Sequence, residues 1–407
     1  MKILHTADWH LGKRLEKFSR LDEQRDVLNE IVAIADDEDV DVILIAGDLF
    51  DNYNPSTEAV ELFYRTLKRL TKGGKRLVVA IAGNHDSPDR IEAPDPLAKE
   101  NGILFIGYPH STVAPCELES GICITRSEPG FIEVRLPRHE AKLRLLLTPY
   151  ANEYRLRTFL GKEDTEVELR SILEKQWATL ADTYCDDQGV NILMTHLFVM
   201  KEGTPPPDEP EDEKPILHIG GAQAVFSKNI PPQIQYVALG HLHRYQKIDD
   251  SPCPVIYSSS PLSYSFAEAE QDKFVVIIDA QPGESVQYER RRLTAGRILQ
   301  RKRFNHIDDA LTWLHDNPDS LLELTLVSDE YISSEDRRRL FQAHDGIITL
   351  IPEIKNRRET EQEEQSINLQ QSVDELFKQY FKHQTGQDIN DELFELFKEI
   401  RSEQSEE

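Results

Sequence analysis

Five short apolar runs in this chain end abruptly in aspartate, asparagine or histidine, and this pattern constrains the fold more than any other feature. The runs are KILHTADWH (2–10), VDVILIAGD (40–48), RLVVAIAGNHD (76–86), VNILMTH (190–196) and YVALGHLH (236–243). Their length and their aliphatic, β-branched content are typical of buried strands. Because helix-like segments separate the first three runs, the pattern predicts a layered α/β domain with buried strands.

Two of the intervening segments carry apolar residues at helical spacing. They are residues 22–36, with Val27, Leu28, Ile31, Val32 and Ala35, and residues 56–70, with Ala59, Leu62, Phe63 and Leu67. This spacing gives each segment one apolar stripe, as expected of helices that cover a sheet. Ser56 precedes the second stripe and is predicted to cap that helix.

The polar residues that end the five runs are predicted to meet in one place. The carboxyl ends of strands in α/β sheets share a crevice where ligands bind. The metal-type donors there are Asp8, His10, Asp48, Asn84, His196, His241 and His243. Carboxylate, carboxamide and imidazole groups without cysteine suit manganese, iron or zinc better than calcium or magnesium. Seven donors are too many for one ion, so the set predicts two ions sharing a carboxylate, as in phosphoester hydrolysis.

Two pairs within this set have the same spacing. Asp8 and His10, and likewise His241 and His243, are two residues apart. Because side chains alternate along a strand, both members of a pair should face the crevice, and they could serve neighbouring ions. Gly47, Gly83 and Gly240 (one before each of three of these motifs) are predicted to let the backbone turn beside a crowded site. A lone histidine at a strand end is usually structural, but five such ends together argue against that interpretation.

These residues form motifs that resemble a known signature. DxH at 8–10, GDxxD at 47–51, GNHD at 83–86, the single His196 and GHxH at 240–243 resemble the signature of the calcineurin-like metallophosphoesterases. More closely, MKILHTADWHLGK, AGDLFD, AGNHDS and YVALGHLHR are similar to the SbcD-type nuclease subunits, which are related to the Mre nucleases. The motifs span residues 1–266, and the terminal segments extend the likeness to nearly the whole chain.

The resemblance implies a fold and a site. The fold is a layered metallophosphoesterase β-sandwich flanked by helices, with a small α+β capping domain and a C-terminal helical hairpin. The site holds two manganese ions per chain. One ion is bound by Asp8, His10, Asp48 and His243, and the other by Asp48, Asn84, His196 and His241. His85 would be a catalytic residue beside the scissile phosphate. Asp51 and Asp86 would hold imidazoles of the metal-binding histidines in the required tautomer.

The resemblance also implies a function and partners. The expected activity is that of a manganese-dependent DNA nuclease subunit of an SbcCD-type complex, acting by two-metal phosphodiester hydrolysis. It includes 3′–5′ double-strand exonuclease and single-strand or hairpin endonuclease cleavage, in DNA end processing, repair, recombination and replication. The implied partners are DNA and an SMC-like ABC ATPase of the SbcC type, with two nuclease subunits in a heterotetramer.

The chain is predicted to consist of four parts. Residues 1–279 form the nuclease domain, 280–352 the capping or DNA-recognition domain, 353–371 a charged linker, and 372–407 the hairpin that binds the ATPase. In the last part, a capping box at Ser372 and Glu375 precedes two amphipathic stripes. Such stripes usually pack on the protein's own core, but a partner surface is the alternative that the linker favours. The acidic, proline-rich stretch 203–215 is predicted to be a mobile loop and has no assigned role.

The charge of the chain counts against a nucleic-acid partner unless it is locally reversed. The formal net charge is -26 and the isoelectric point is near 4.9, whereas phosphate contacts need clustered lysine and arginine. Residues 289–303 carry seven basic residues against one glutamate. A second basic cluster, Lys13, Arg14, Lys17 and Arg20, follows the first motif. The predicted DNA contacts are Lys13, Arg14, Arg290, Arg291 and Arg292. The alternative, left open, is that these side chains pair with acidic neighbours.

Rival functions are a protein phosphatase or small-nucleotide phosphoesterase, and a scaffold with a vestigial metal site. Phosphatases of this superfamily show GDxVDRG and GNHE, whereas this chain has GDLFDNY and GNHD. A complete donor set argues against the scaffold. Four distant cysteines, no signal-peptide pattern and no long apolar run predict a cytoplasmic protein without a membrane segment.

Overall fold

The computed structural model describes residues 1–157, 165–205, 207, 224–328, 332–354, 376–378 and 394. The chain divides into two compact units, Met1–Leu326 with Ile332–Pro352, and Val327–Tyr331 with Glu353–Glu407. Most of the predicted loop 203–215, linker 353–371 and hairpin 372–407 lies outside the described residues. In the second unit, residues 376–378 are helical, and the Lys378 ammonium lies 4.1 Å from the ring centroid of Phe394.

The strands of the described residues are named in chain order. The first eleven are β1 (Lys2–Thr6), β2 (Arg14–Leu15), β3 (Phe18–Ser19), β4 (Val42–Ala46), β5 (Leu77–Ile81), β6 (Ile103–Ile106), β7 (Cys116–Glu117), β8 (Cys123–Glu128), β9 (Phe131–Arg135), β10 (Leu143–Thr148) and β11 (Val190–His196). The others are β12 (Val199–Met200), β13 (Val225–Phe226), β14 (Tyr236–Gly240), β15 (Gln246–Asp249), β16 (Val255–Tyr257), β17 (Lys273–Asp279), β18 (Gln287–Leu293), β19 (Ile298–Phe304), β20 (Ser320–Ser328) and β21 (Ile347–Ile354).

The helices follow the predicted stripes. They are α1 (Leu21–Asp37), α2 (Thr57–Leu70), α3 (Pro88–Glu92), α4 (Asp95–Glu100), α5 (Glu153–Leu156), α6 (Thr165–Tyr184), α7 (Ile307–Asp316) and α8 (Ser334–Ala343). The Ser56 hydroxyl accepts a hydrogen bond from the Ala59 amide at the start of α2, so the predicted cap is confirmed. Among the described residues, none of the helices is both long and apolar enough to cross a membrane.

Two large sheets carry the strands that end in the motif residues. The first has the order β18-β17-β1-β4-β5-β6, and the second has the order β15-β16-β14-β11-β10-β9-β8-β7. Strands β1, β4, β5 and β6 run parallel in the first sheet, as do β10, β11, β14 and β16 in the second. Three of the five predicted strand ends therefore belong to one sheet, and two belong to the other.

Alternation along the strands builds three apolar layers. Val42 of the first sheet and Ile192 of the second belong to the same core, which lies between the sheets. The adjacent Ile43 points the other way and packs with α1 and α2, and Leu193 packs with α6. The result is a sandwich of two sheets with helices outside, so the predicted layered α/β fold is confirmed.

The region after residue 279 contributes to two sheets. β18 pairs with β17 throughout its length, so the first sheet continues past the predicted boundary at residue 279. A third sheet, β19-β20-β21, packs with α7 and α8 around its own small core. Leu299 and Leu321 of this sheet belong to the same small apolar cluster as Leu15 of the β2–β3 hairpin, which follows the first motif.

Candidate metal centre

The predicted metal-type donors lie where the carboxyl ends of the two sheets meet. Asp8 follows β1, Asp48 follows β4 and Asn84 follows β5, while His196 ends β11 and His241 follows β14. Asp8, Asp48 and His196 are each at most 2% exposed. The crevice that the sequence predicted at the strand ends is therefore formed by the edges of two sheets.

The backbone around the site adopts conformations that L-residues rarely take. Asp8, His10, Asp48 and His241 have positive φ values of 55°, 43°, 47° and 108°. Such residues cost of the order of 1–3 kcal/mol each and persist where the surrounding structure enforces them. All four of these residues lie in the motif loops. The surrounding structure therefore holds their side chains in place although the backbone there is strained.

The motif glycines are required mainly for space. A Cβ atom at Gly47, whose φ is +90°, would lie 2.2 Å from His196 Nδ1. One at Gly83 would lie 2.0 Å from Asp48 Oδ1, and one at Gly240 would lie 1.8 Å from the Ala46 carbonyl oxygen. Any side chain at these positions would displace a donor or the strand beside it.

Asp8, His10 and His243 form the first donor cluster. Each offers an atom to a group whose members all lie within 4.8 Å of one another. The His10 and His243 Nε2 atoms are 2.9 Å apart. The Nδ1 atom of His243 faces the Glu268 carboxylate at 3.5 Å, which favours a proton on Nδ1 and a lone pair on Nε2.

Asn84, His196 and His241 form the second donor cluster. Asn84 Oδ1 lies 3.0 Å from His196 Nε2 and 3.1 Å from His241 Nδ1. His196 Nδ1 lies 2.8 Å from the Ala46 carbonyl oxygen and must donate to it. Although burial opposes it, the neighbouring Asp48 and Asp8 carboxylates raise the His196 pKa to about 9.

Asp48 lies between the two clusters. Its Oδ2 atom is 3.4 Å from His10 Nε2 and also 3.4 Å from His196 Nε2. Its Oδ1 atom accepts the His85 backbone amide at 2.9 Å, which fixes the carboxylate orientation. The Asp48 carboxylate therefore contacts histidines of both clusters, and Asp8 Oδ1 lies 3.8 Å from His196 Nδ1 in the same group of donors.

Burial and mutual interactions shift the pKa values of these groups strongly. Burial raises the pKa of Asp8 to about 7 and lowers the pKa of His241 to about 3. Burial opposes ionisation of Asp48 as well, but His196 and His10 outweigh it and hold the Asp48 pKa well below its usual range. The Asp48 carboxylate is therefore a buried negative charge surrounded by imidazoles.

The donor chemistry fits a bound divalent cation. The His10 and His243 Nε2 atoms approach to 2.9 Å in the first cluster, and the Asn84 oxygen lies within 3.1 Å of a nitrogen of His196 and of His241 in the second. Asp8 Oδ2 is fully buried and has no hydrogen-bond partner among the described residues. A buried carboxylate oxygen without a partner is costly, and beside converging imidazole, carboxamide and carboxylate groups it matches a site for divalent metal.

His85 lies beside the donors but is more exposed than they are. Its ring centroid is 4.9 Å from that of His10, and its Nδ1 lies 2.9 Å from the Asp51 carbonyl oxygen. A carbonyl can only accept, so Nδ1 donates and Nε2 is the ring atom that can exchange a proton with a ligand.

The two predicted orienting carboxylates have different contacts. Asp51 Oδ1 lies 3.8 Å from His10 Nδ1 and 3.2 Å from Lys13 Nζ. Asp86 instead accepts the backbone amides of Leu49, Phe50 and Gly83. Its carboxylate joins the loops after β4 and β5, whereas the sequence predicted a contact with an imidazole.

The five predicted DNA-contact residues are distributed over two places, and each has a protein partner, Asp51 in the case of Lys13. Arg14 is exposed in the β2–β3 hairpin and donates to the Lys17 carbonyl oxygen. Arg290 stacks over Tyr245 and over Phe274 of β17. The two residues that follow are ion-paired, Arg291 with Glu38 and Glu289, and Arg292 with Asp272. Their role in DNA contact stays a prediction.

Sequence reasoning missed residues that support the donors. Glu268 is fully buried, and Lys273 and His243 hold its pKa at about 2 against the effect of burial. Lys273 Nζ also donates to the His243 carbonyl oxygen at 2.8 Å. Arg155, 2% exposed, donates to the Gly83 and Asp86 carbonyl oxygens and so holds the loop that carries His85. The available signal was Lys273, a basic residue at the start of an apolar stretch, but its partner Glu268 could not be inferred from the sequence.

The fold and the site together define a metal-dependent phosphoesterase. Residues 1–245 match the model of the calcineurin-like phosphoesterase family. Over 407 residues the chain is 37% identical to the SbcD subunit of the nuclease SbcCD from Bacillus subtilis, and the match covers 99% of this chain and 98% of that protein. It is 34% identical over 291 residues to the protein of the same name from Rhodobacter capsulatus, over 70% of this chain and 67% of that protein. A dimetal phosphatase from Danio rerio shares 13% identity over 71% of this chain and 98% of its own, with a TM-score of 0.37.

The chain belongs to the calcineurin-like phosphoesterase family and, within it, to the SbcD-type nuclease subunits. It is accordingly a hydrolase of phosphodiester bonds that binds divalent metal. The predicted family and class of enzyme are confirmed.

Proposed function

We propose that this chain is the manganese-dependent nuclease subunit of an SbcCD-type complex and that it hydrolyses DNA phosphodiesters with two ions. The observation that carries the proposal is the position of Asp48, whose Oδ2 atom is 3.4 Å from a histidine of each donor cluster. A carboxylate between two clusters is the arrangement that a two-ion phosphoesterase needs.

The ligand sets follow from the clusters. Asp8, His10 and His243 would hold one ion, and Asn84, His196 and His241 the other, with Asp48 shared. Imidazole and carboxylate donors without thiolate favour manganese over magnesium or calcium. When bound, the ions would supply Lewis-acid charge and lower the pKa of the attacking water.

The chain's own residues position the substrate and move a proton. The Asp51 carbonyl fixes the His85 ring through Nδ1, which leaves Nε2 to donate to a phosphate oxygen or to the leaving oxygen. Asp86 holds the loops after β4 and β5 together, and this fixes the positions of Asp48 and His85 relative to each other. Glu268 favours the His243 tautomer that carries its proton on Nδ1 and directs the Nε2 lone pair at the donor cluster.

The phosphatase alternative requires an arginine that clamps a terminal phosphate. Arg155 is the arginine beside the GNHD loop, but its guanidinium donates to the Gly83 and Asp86 carbonyl oxygens and to the Tyr53 hydroxyl. These bonds use the guanidinium for loop support, which favours a diester substrate over a monoester.

The deciding experiment compares substrates after metal removal. The purified chain should lose activity when treated with chelator and regain it with Mn²⁺ more fully than with Mg²⁺. It should then degrade linear duplex, and cleave hairpin-closed and single-stranded DNA, while a phosphopeptide is hydrolysed at least about 100-fold more slowly. End-labelled duplexes would show the direction of digestion. Faster release of phosphate from the phosphopeptide than of nucleotides from DNA would contradict the proposal.

We also propose that residues 372–407 bind an SbcC-type ATPase, in a complex with two copies of each protein. Support comes from the amphipathic stripes of this segment and from the name of the Bacillus subtilis relative, which is a component of SbcCD. A chain ending at residue 371 should fail to co-purify with the ATPase while manganese-dependent cleavage stays within about twofold. Retained co-purification would exclude this segment as the main contact, and light scattering of the intact complex gives its stoichiometry.

A further inference from the structure

We propose that Tyr53 forms a stacking site for one unpaired nucleobase at the edge of the metal centre, and that this site favours DNA whose end is melted or single-stranded. The inference rests on the proposed nuclease function. It concerns a residue to which the mechanism above gives no role.

Tyr53 is exposed close to the reacting groups. Its side chain is 52% exposed, in the segment that joins β4 to α2. It follows Asp51 by two residues, and two residues of chain span at most about 7 Å. The Asp51 carbonyl holds His85, and the Asp51 carboxylate belongs to a group with His10 and His85 whose donor atoms lie within 4.8 Å of one another.

The tyrosine ring is fixed at one end. Its hydroxyl oxygen accepts a hydrogen bond from Arg155 Nη2 at 3.0 Å. The same guanidinium donates to the Gly83 carbonyl oxygen at 2.7 Å and to the Asp86 carbonyl oxygen at 2.8 Å. Tyr53 is therefore tied to the loop that carries His85, and little rotational freedom remains to be lost when a ligand covers its face.

The chemistry of this position suits a nucleobase. Every base has a π face, so stacking on an aromatic side chain is tolerant of sequence and is a common way of binding single strands. Bases inside a duplex are covered on both faces by their neighbours, so an aromatic side chain reaches only a terminal or unpaired base. A ring beside the scissile phosphate would therefore hold a melted end in place.

The test separates stacking from structural support. Tyr53→Ala should raise KM for a single-stranded oligonucleotide about tenfold, with kcat and bound manganese within twofold of wild type. Tyr53→Phe keeps the ring and should retain most of the wild-type KM. Tyr154→Ala removes another exposed tyrosine, one residue before Arg155, and should behave as wild type.

Abasic substrates identify the base concerned. We expect one position near the cleaved bond at which removal of the base raises the wild-type KM about tenfold but leaves Tyr53→Ala unaffected. Equal responses of both proteins at every position, or an equal fall of kcat and manganese content in Tyr53→Ala, would overturn the inference. If the wild-type protein cleaved no DNA, both the proposed function and the stacking site would be wrong. If wild type and Tyr53→Ala cleaved single-stranded DNA with the same KM, only the stacking site would be wrong.

Discussion

Replacing Asp48 with alanine should remove bound metal and activity together, with manganese affinity falling by more than about 100-fold. Loss of a residue that merely orients a metal ligand costs about 10- to 100-fold in affinity. Asp48 contacts a histidine of each donor cluster at 3.4 Å, and it is ionised within a buried site. Without its charge, Asp8 would be the one carboxylate left among the proposed ligands, and the second cluster would consist of neutral ligands alone.

Elemental analysis of the purified variant is the direct measurement. Thermal unfolding adds a second one, because a ligand that binds only the folded state raises Tm, and manganese should do so in wild type but not in Asp48→Ala. Asp41→Ala is the matched control: this buried carboxylate precedes β4 at its other end and accepts the Lys2 amide. The control should lose stability yet keep metal. Two ions retained by Asp48→Ala would show that the carboxylate does not bridge.

The layered fold and the gathering of the donors could both be predicted from sequence. Buried parallel strands produce continuous apolar runs, and their polar endings must share an edge because the strands point the same way. That argument could not divide the strands between sheets. β4 and β11 have the same apolar character, yet they lie in facing sheets that share a core. Strand pairing depends on contacts distant in sequence, which one apolar run does not specify.

Strand alternation correctly predicted that Asp8 and His10 point into the same site, but the backbone geometry that brings them there is different. Asp8 and His10 were expected to face inward as alternate residues of a strand. They lie beyond the end of β1, and both have positive φ values. Their convergence therefore depends on turns enforced by the surrounding loops, and no sequence period predicts such conformations.

The supporting residues were not predictable because they come from distant parts of the chain. Glu268 lies well beyond His243 in sequence, and nothing in its neighbourhood marks it as a histidine partner. Arg155 lies on a short helix remote in sequence from the loop that it holds. The role of a buried charged residue can be inferred only when its partners are known, and the tertiary structure determines those partners.

His85→Ala should retain both metal and fold while cleavage falls by about 10²- to 10⁴-fold, the usual contribution of a general acid or base. The ring lies near His10 and Asp51 but belongs to neither of the two proposed clusters, and its Nδ1 is held by the Asp51 carbonyl. Removing it leaves Asp48 in place, because Asp48 Oδ1 accepts the backbone amide of residue 85 and not its side chain. We therefore expect kcat to fall with little change in manganese content.

Measuring kcat, KM and bound manganese in the same preparation distinguishes a catalytic role from metal binding. His139→Ala is the matched control, since this half-buried histidine pairs with Asp41, well away from the donors, and should leave kcat unchanged. His85→Gln offers a neutral amide at a similar distance and should remain nearly as slow as alanine, because an amide cannot transfer the proton. Loss of manganese in parallel with kcat would instead place His85 among the ligands, and full activity of His85→Gln would show that positioning alone is sufficient.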